Sequence, residues 1–201
     1  MANSLTFDFS GVHFPRKRQS RDSGGHDGRL PGLAVAGFTV VIDSSEQLPF
    51  CFSGMYGKHN ETLVVPTVVS SLKTGDYSIL GIESVLTVER KSASDIVRSV
   101  CRGHARLERE HQRMLSMVEN GGHAALVCEG SYSEIDDQLR GEGRWEAANT
   151  LLGTMISWPC KYHCPWYFAG DRRRAEIITF RLLEKWHNLV CNDEQRKQRD
   201  R

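Results

Sequence analysis

From Phe38 onward the chain alternates short β-branched runs with longer segments of helical period, and that order limits it to folds in which helices cover a sheet. Phe38–Asp43 reads as a buried strand that ends in a carboxylate. A loop carrying Pro49, Gly54 and Gly57 follows, then the apolar run Leu63–Leu72. Lys73-Thr74-Gly75-Asp76-Tyr77 turns that run into a second strand at Tyr77–Leu80, and Gly81 permits a turn into a third, Val85–Lys91. Ser92–Asn120 is helical in period. Ala124–Cys128 is a fourth strand ending at Glu129-Gly130, and Ala147–Ile156 a helix. Tyr162–Phe168 is a fifth strand, and Asp171–Leu189 a closing helix with Asp171 as its N-cap. The pattern predicts an α/β domain with a central mixed β-sheet flanked by helices.

A chain of 201 residues suits one domain. Residues 1–34 are expected to be a flexible basic tail, 35–192 the folded domain and 193–201 a charged C-terminal tail. Arg16-Lys17-Arg18 and Arg21 in the first tail could touch a nucleic-acid backbone, although a solvated tail accounts for them as well. No run approaches the roughly 18 apolar residues of a membrane span, and Met1–Gly11 lacks the charged head and apolar stretch of a secretory signal. The expected location is the cytoplasm of a bacterial or phage-infected cell, or the nucleus in a eukaryote. The scattered cysteines Cys51, Cys101, Cys128, Cys160, Cys164 and Cys191 suit reduced thiols. Cys160, His163 and Cys164 have the spacing of half a zinc site, but no second ligand pair accompanies them.

The third strand carries the chemistry. Side chains alternate along it, so Glu89 and Lys91 point one way and Arg90 the other. A carboxylate beside an ammonium at a strand end suits phosphodiester hydrolysis: the acid holds a divalent cation, and the lysine orients or helps deprotonate the attacking water and steadies developing charge. Magnesium prefers octahedral oxygen coordination and is poorly held by one carboxylate. Asp76, placed by Gly75 at the start of the preceding strand, is the expected second acid. Asp43 at the end of the first strand and Glu46 one short turn later are further candidates.

The net charge of +1 gives no global attraction to nucleic acid, so phosphate binding would need a local patch. Arg98, Arg102, Arg106, Arg109 and Arg113 are spaced by 4, 4, 3 and 4 residues, which predicts one basic stripe along a helix. Glu108 and Glu110 could neutralise part of it. Val97, Val100, Leu107, Met114 and Val118 form a separate apolar stripe interrupted by His104 and His111. Gly103 costs about 1 kcal/mol against alanine inside a helix and marks a bend.

Gly75-Asp76, a gap of twelve residues, Glu89-Arg90-Lys91 and then Asp95 resemble the signature of the XPF family of structure-specific endonucleases. Val41–Glu46 is similar to that family's first-strand motif and Ile96–Glu110 to its following helix, so the resemblance covers Phe38 to Glu129. It implies the restriction-endonuclease-like fold and magnesium- or manganese-dependent cleavage of branched or flapped DNA in repair or recombination. Position by position, it makes Asp76 and Glu89 metal ligands, Lys91 the catalytic lysine, and Arg90 a backbone-contacting or structural arginine. Asp95 matches a helix-opening acid, and Asp43 and Glu46 match further acidic positions. Ser45 stands where the family usually has arginine, and Gly103-His104 replaces a Gly-Arg pair. The length fits the compact stand-alone versions of bacteria and phages, with a homodimer as the expected assembly.

Two other readings share these residues: a non-catalytic DNA-binding or partner subunit, and a resolvase or restriction-type nuclease. Trp166, Tyr167 and Phe168 could stack on bases, though they also read as a core strand. Arg172-Arg173-Arg174 sits at the positive end of the last helix, where cations are unfavourable unless they meet phosphate or solvent.

Overall fold

A computed structural model describes residues 32–199. The elements in chain order are β1 (Leu33–Val35), β2 (Val40–Asp43), β3 (Met55–Tyr56), β4 (Thr62–Val64), β5 (Thr67–Ser70), β6 (Tyr77–Ile79) and β7 (Leu86–Lys91). They continue as α1 (Ala93–Cys101), α2 (His104–Glu119), β8 (His123–Cys128), α3 (Tyr132–Gly141), α4 (Trp145–Tyr162), β9 (Trp166–Phe168) and α5 (Arg172–Arg199). The main sheet has six strands in the order β5-β2-β6-β7-β8-β9. β6 runs antiparallel to both β2 and β7, while β5 is parallel to β2 and β7, β8 and β9 are mutually parallel. A small sheet, β1-β4-β3, stands apart. The mixed sheet flanked by helices is therefore present.

Strand alternation divides the sheet between two cores. Val40, Ile42, Tyr77, Val88, Ala125 and Val127 pack with Phe180, Leu183 and Trp186 of α5. On the other face Leu126 and Cys128 pack with Ile96, Val100, Leu107, Met114, Leu151 and Trp158 from α1, α2 and α4. β7 is buried on both sides, so the polar atoms of its charged end must find partners within the protein.

Several boundaries differ from the pattern. Leu63–Leu72 is split at Pro66, which cannot donate to a ladder, and its halves β4 and β5 join different sheets. The helical period of Ser92–Asn120 is two helices. Arg102 and Gly103 both donate to the Arg98 carbonyl and close α1 before α2 begins. α4 runs through Pro159 to Tyr162, so only Trp166–Phe168 of the expected fifth strand is extended. α3 was not foreseen, because Ile135 and Leu139 are its only buried residues and leave a weak apolar stripe. β1 takes in Leu33 and Ala34, which the pattern left in the first tail, and α5 continues into the residues assigned to the second. Arg16-Lys17-Arg18 and Arg21 lie outside the described residues.

Candidate active site

The β6–β7 hairpin places the acids. The Asp76 N–H donates to the Val88 carbonyl at 2.9 Å and the Asp43 N–H to the Asp76 carbonyl at 2.8 Å. With Tyr77 opposite both Val88 and Ile42, one further step of register sets Asp43, Asp76 and Glu89 in a row across three strands. Only glycine fits before Asp76. Gly75 has φ +75°, and a Cβ there would lie 1.9 Å from Thr87 Oγ1 and 3.1 Å from the Val88 carbonyl oxygen.

Two members of that row are fixed by β7 itself, Asp76 by a backbone N–H and Glu89 by Lys91. The Arg90 N–H donates to Asp76 Oδ2 at 2.7 Å, and Lys91 Nζ donates to Glu89 Oε1 at 2.5 Å. Burial, aided by the neighbouring Glu89 carboxylate, pushes Asp76 up to about 8 against the opposing Arg90 N–H. Burial and the nearby Glu110 carboxylate raise Glu89 as well, despite Lys91. For Lys91 burial works the other way, but the Glu89 and Glu110 carboxylates outweigh it and hold the ammonium above the ordinary lysine range. An ammonium so held donates hydrogen bonds and supplies positive charge; it does not accept a proton at neutral pH.

The outer acids are engaged elsewhere. Asp43 Oδ1 accepts from the Leu72 N–H at 2.7 Å, and Oδ2 accepts from both the Ser45 N–H and its hydroxyl. Those bonds overcome its partial burial and lower its pKa. Ser45, a departure from the family pattern, is thus the partner that turns Asp43 toward its own loop. Glu46 Oε1 accepts from the Leu48 N–H at 2.8 Å and from Arg90 Nη1 at 3.1 Å. As placed, the described residues hold no group of three or more His, Cys, Asp or Glu side chains arranged for a metal ion. Asp76 and Glu89 nevertheless fit a divalent cation: both are oxygen donors, and the repulsion that Glu89 exerts on Asp76 is what a cation would relieve.

Arg90 leaves the opposite face of β7, as alternation requires. Its Nε donates to Glu129 Oε1 at 2.8 Å, and its guanidinium lies 5.6 Å from the Phe50 ring centroid. Arg172 donates to the same Glu129 oxygen at 2.6 Å and to the Leu48 and Pro49 carbonyls, with its guanidinium 4.9 Å from Phe50. Arg90, with 9% of its side chain exposed, is a brace rather than a free phosphate contact. The three arginines that open α5 are explained in the same way, since Arg173 reaches Glu176 and the Gly54 carbonyl and Arg174 pairs with Asp171. Asp171 caps the helix as expected, accepting the Arg174 N–H at 2.7 Å. Ser92, not Asp95, caps α1: its hydroxyl accepts the Asp95 N–H at 3.1 Å and donates to Asp95 Oδ2 at 2.7 Å, so Asp95 braces the cap.

The basic stripe is exposed but is not one continuous helix. The break after Cys101 leaves Arg98 on α1, paired with Asp95 at 3.4 Å, and Arg102 in the turn. Arg106, Arg109 and Arg113 line α2. Arg113 lies close enough to Glu89 for its charge to be felt there. Of the interrupting histidines, His104 packs edge-on against Trp158, and buried His111 accepts from Trp166 Nε1 at 2.8 Å. Burial takes His111 down to about 4, so it is neutral. Trp166 is therefore committed to the core, while Cys164 is buried against Met114 and Cys160 is exposed.

Sequence reasoning missed two acids that matter. Glu129 follows β8 directly and joins Arg90 to Arg172. Glu110, treated as a surface partner of the arginines, is buried and accepts from Lys91 Nζ at 3.0 Å. The signal was its spacing, for Glu110 falls between Leu107 and Met114 on the line that faces the sheet.

The mixed sheet thus carries an ammonium and two carboxylates at adjoining strand ends. The ERCC4 domain model matches residues 42–180, and the chain belongs to that family of nuclease domains. Among solved structures it is similar to XPF from Aeropyrum pernix, at 18% identity and a TM-score of 0.55, covering 78% of this chain and 69% of that one. A second structure of XPF from Aeropyrum pernix, in complex with DNA, matches at 19% identity and a TM-score of 0.51, covering 78% and 66%. These likenesses bear out the restriction-endonuclease-like fold and the resemblance to the XPF family. Comparison with curated proteins gives no match. Among the described residues no helix is long and apolar enough to cross a membrane.

Proposed function

We propose that the chain is a magnesium- or manganese-dependent endonuclease that hydrolyses phosphodiester bonds in branched or flapped DNA, in repair or recombination. The observation that carries this reading is half-buried Asp76, its pKa raised by burial and by the buried Glu89 carboxylate, beside a lysine held as an ammonium within an ERCC4 domain. The Aeropyrum pernix complex with DNA supports DNA as the ligand. Asp76 and Glu89 would hold the cation, which supplies Lewis-acid charge to the scissile phosphate when bound. Lys91 donates to the reacting oxygens and offsets the negative charge that develops in the transition state. Asp43 and Glu46 would join the cation only by leaving their loop and Arg90 partners. Arg98, Arg102, Arg106, Arg109 and Arg113 offer exposed charge along which a phosphate backbone could run.

The nuclease domain is assigned to residues 35–192, the working compartment to the cytoplasm of a bacterial or phage-infected cell or to a nucleus, and the assembly to a homodimer. Fluorescent splayed, flapped and four-way-junction DNAs, incubated with and without each metal, test the central reading. Metal-dependent cutting of at least one is expected, with loss in Asp76→Ala. A wild type that cuts nothing and binds every DNA as Asp76→Ala does would leave a DNA-binding subunit instead.

A further inference from the structure

Lys91 has two acid partners, and only one of them belongs to the strand-end pair. Its Nζ donates to Glu89 Oε1 at 2.5 Å and to Glu110 Oε2 at 3.0 Å. Any cation drawn to Glu89 competes with the lysine for that carboxylate, and an ammonium on a flexible four-carbon stem then needs another anchor. Glu110 approaches from α2 rather than from the sheet and is fixed in turn, because Arg106 Nε donates to its other oxygen at 3.1 Å. Arg106 is 81% exposed and Glu110 10%, so the pair links the solvent-facing basic surface to the buried lysine.

We propose that Glu110 is a positioning residue: it keeps the Lys91 ammonium in place from the helix side when Glu89 turns to a cation, and through Arg106 it ties that placement to the surface that meets DNA. The inference rests on the nuclease reading above. Its consequence is a division of labour among the acids around Lys91, with Asp76 and Glu89 serving the cation and Glu110 serving the lysine.

The test compares wild type, Glu110→Gln, Lys91→Ala and the double variant on one junction DNA under single-turnover conditions. Glu110→Gln should cut about 10- to 100-fold more slowly, as expected when a supporting partner is removed. Its metal-free DNA affinity, and its manganese affinity by electron paramagnetic resonance, should match wild type. The double variant should be no slower than Lys91→Ala, because both changes remove one function. Wild-type cutting by Glu110→Gln, lost manganese affinity, or multiplied losses in the double variant would each overturn the proposal.

A second readout does not depend on cleavage or on a variant that folds. With saturating magnesium, the wild-type Lys91 ammonium should keep a slowly exchanging ¹H–¹⁵N signal, whereas loss of that signal in wild type would show that Glu110 does not hold it. Should wild type cut no DNA with either metal while the signal persists, the nuclease reading falls and the Glu110 anchor stands.

Discussion

The two faces of β7 use the same kinds of side chain for different ends. Toward α2, Glu89 and Lys91 form an ion pair near half-buried Asp76, and their charges are in tension: the Asp76 and Glu89 carboxylates are both raised and the lysine is shared with Glu110. Toward α5, Arg90 meets Glu46 and Glu129, with Arg172 closing the set and Phe50 packed against both guanidiniums. One face keeps charges in tension that a ligand can relieve, and the other satisfies its charges internally. Unrelieved charge of that kind concentrates where chemistry is done, and matched charge where loops are fastened.

The comparison breaks most sharply at Lys91. Lys91→Ala should lower single-turnover cleavage by about 10²- to 10³-fold, the usual result of removing a preorganised transition-state donor. DNA affinity measured without metal should change little. Unimpaired cleavage by this variant would move the chemistry off the α2 face.

Arg90 gives the opposite signature. Arg90→Ala leaves Glu46 and Glu129 without a cation they share, which should cost about 3 kcal/mol of stability. Urea unfolding should show that loss, and cleavage should recover at low temperature in whatever fraction remains folded. A stable Arg90→Ala protein that no longer cuts would make Arg90 part of the chemistry.

Much of this contrast was readable beforehand, and the part that was not has a physical origin. The two-residue period of a strand was enough to put Glu89 and Lys91 on one face and Arg90 on the other. Gly75 announced Asp76, because a left-handed turn against Thr87 admits no side chain. The partners came from further away. Glu110 lies 19 residues beyond Lys91 and Glu129 lies 39 beyond Arg90, distances over which only the tertiary fold decides contact. Asp43 and Glu46 illustrate the converse. Their strand-end position suggested cation ligands, but the backbone N–H groups of Leu72, Ser45 and Leu48 lie close enough to take their oxygens. The arginine stripe was over-read in continuity: Gly103 read as a bend within one helix, whereas α1 ends at Cys101 and Gly103 is the N-cap of a second helix.

The strained face should also respond to pH. Asp76 is raised in the folded protein to about 8, so the native state binds this proton more tightly than the unfolded chain does. That contribution to stability is complete below the unfolded carboxylate pKa and is lost as pH rises through about 8. Metal-free protein should therefore melt at lower temperature at pH 9 than at pH 6, by a margin that shrinks in Asp76→Asn and on adding magnesium. An unchanged margin in Asp76→Asn would place the titration elsewhere.

The smallest effects belong to the exposed arginines, where α1 and α2 should differ. Arg98 already pairs with Asp95, and its side chain is 70% exposed. Arg113, by contrast, sits where its charge reaches Glu89. Arg98→Ala should weaken DNA binding slightly, reducing the slope of log affinity against log salt by no more than about 1. Arg113→Ala should give a comparable drop in slope and, in addition, slow cleavage of bound DNA, because it withdraws a positive charge from the acid pair. Equal cleavage rates for the two variants on saturating DNA would mean that α2 contributes only generic attraction, and the asymmetry between the faces of β7 would then end at Glu110.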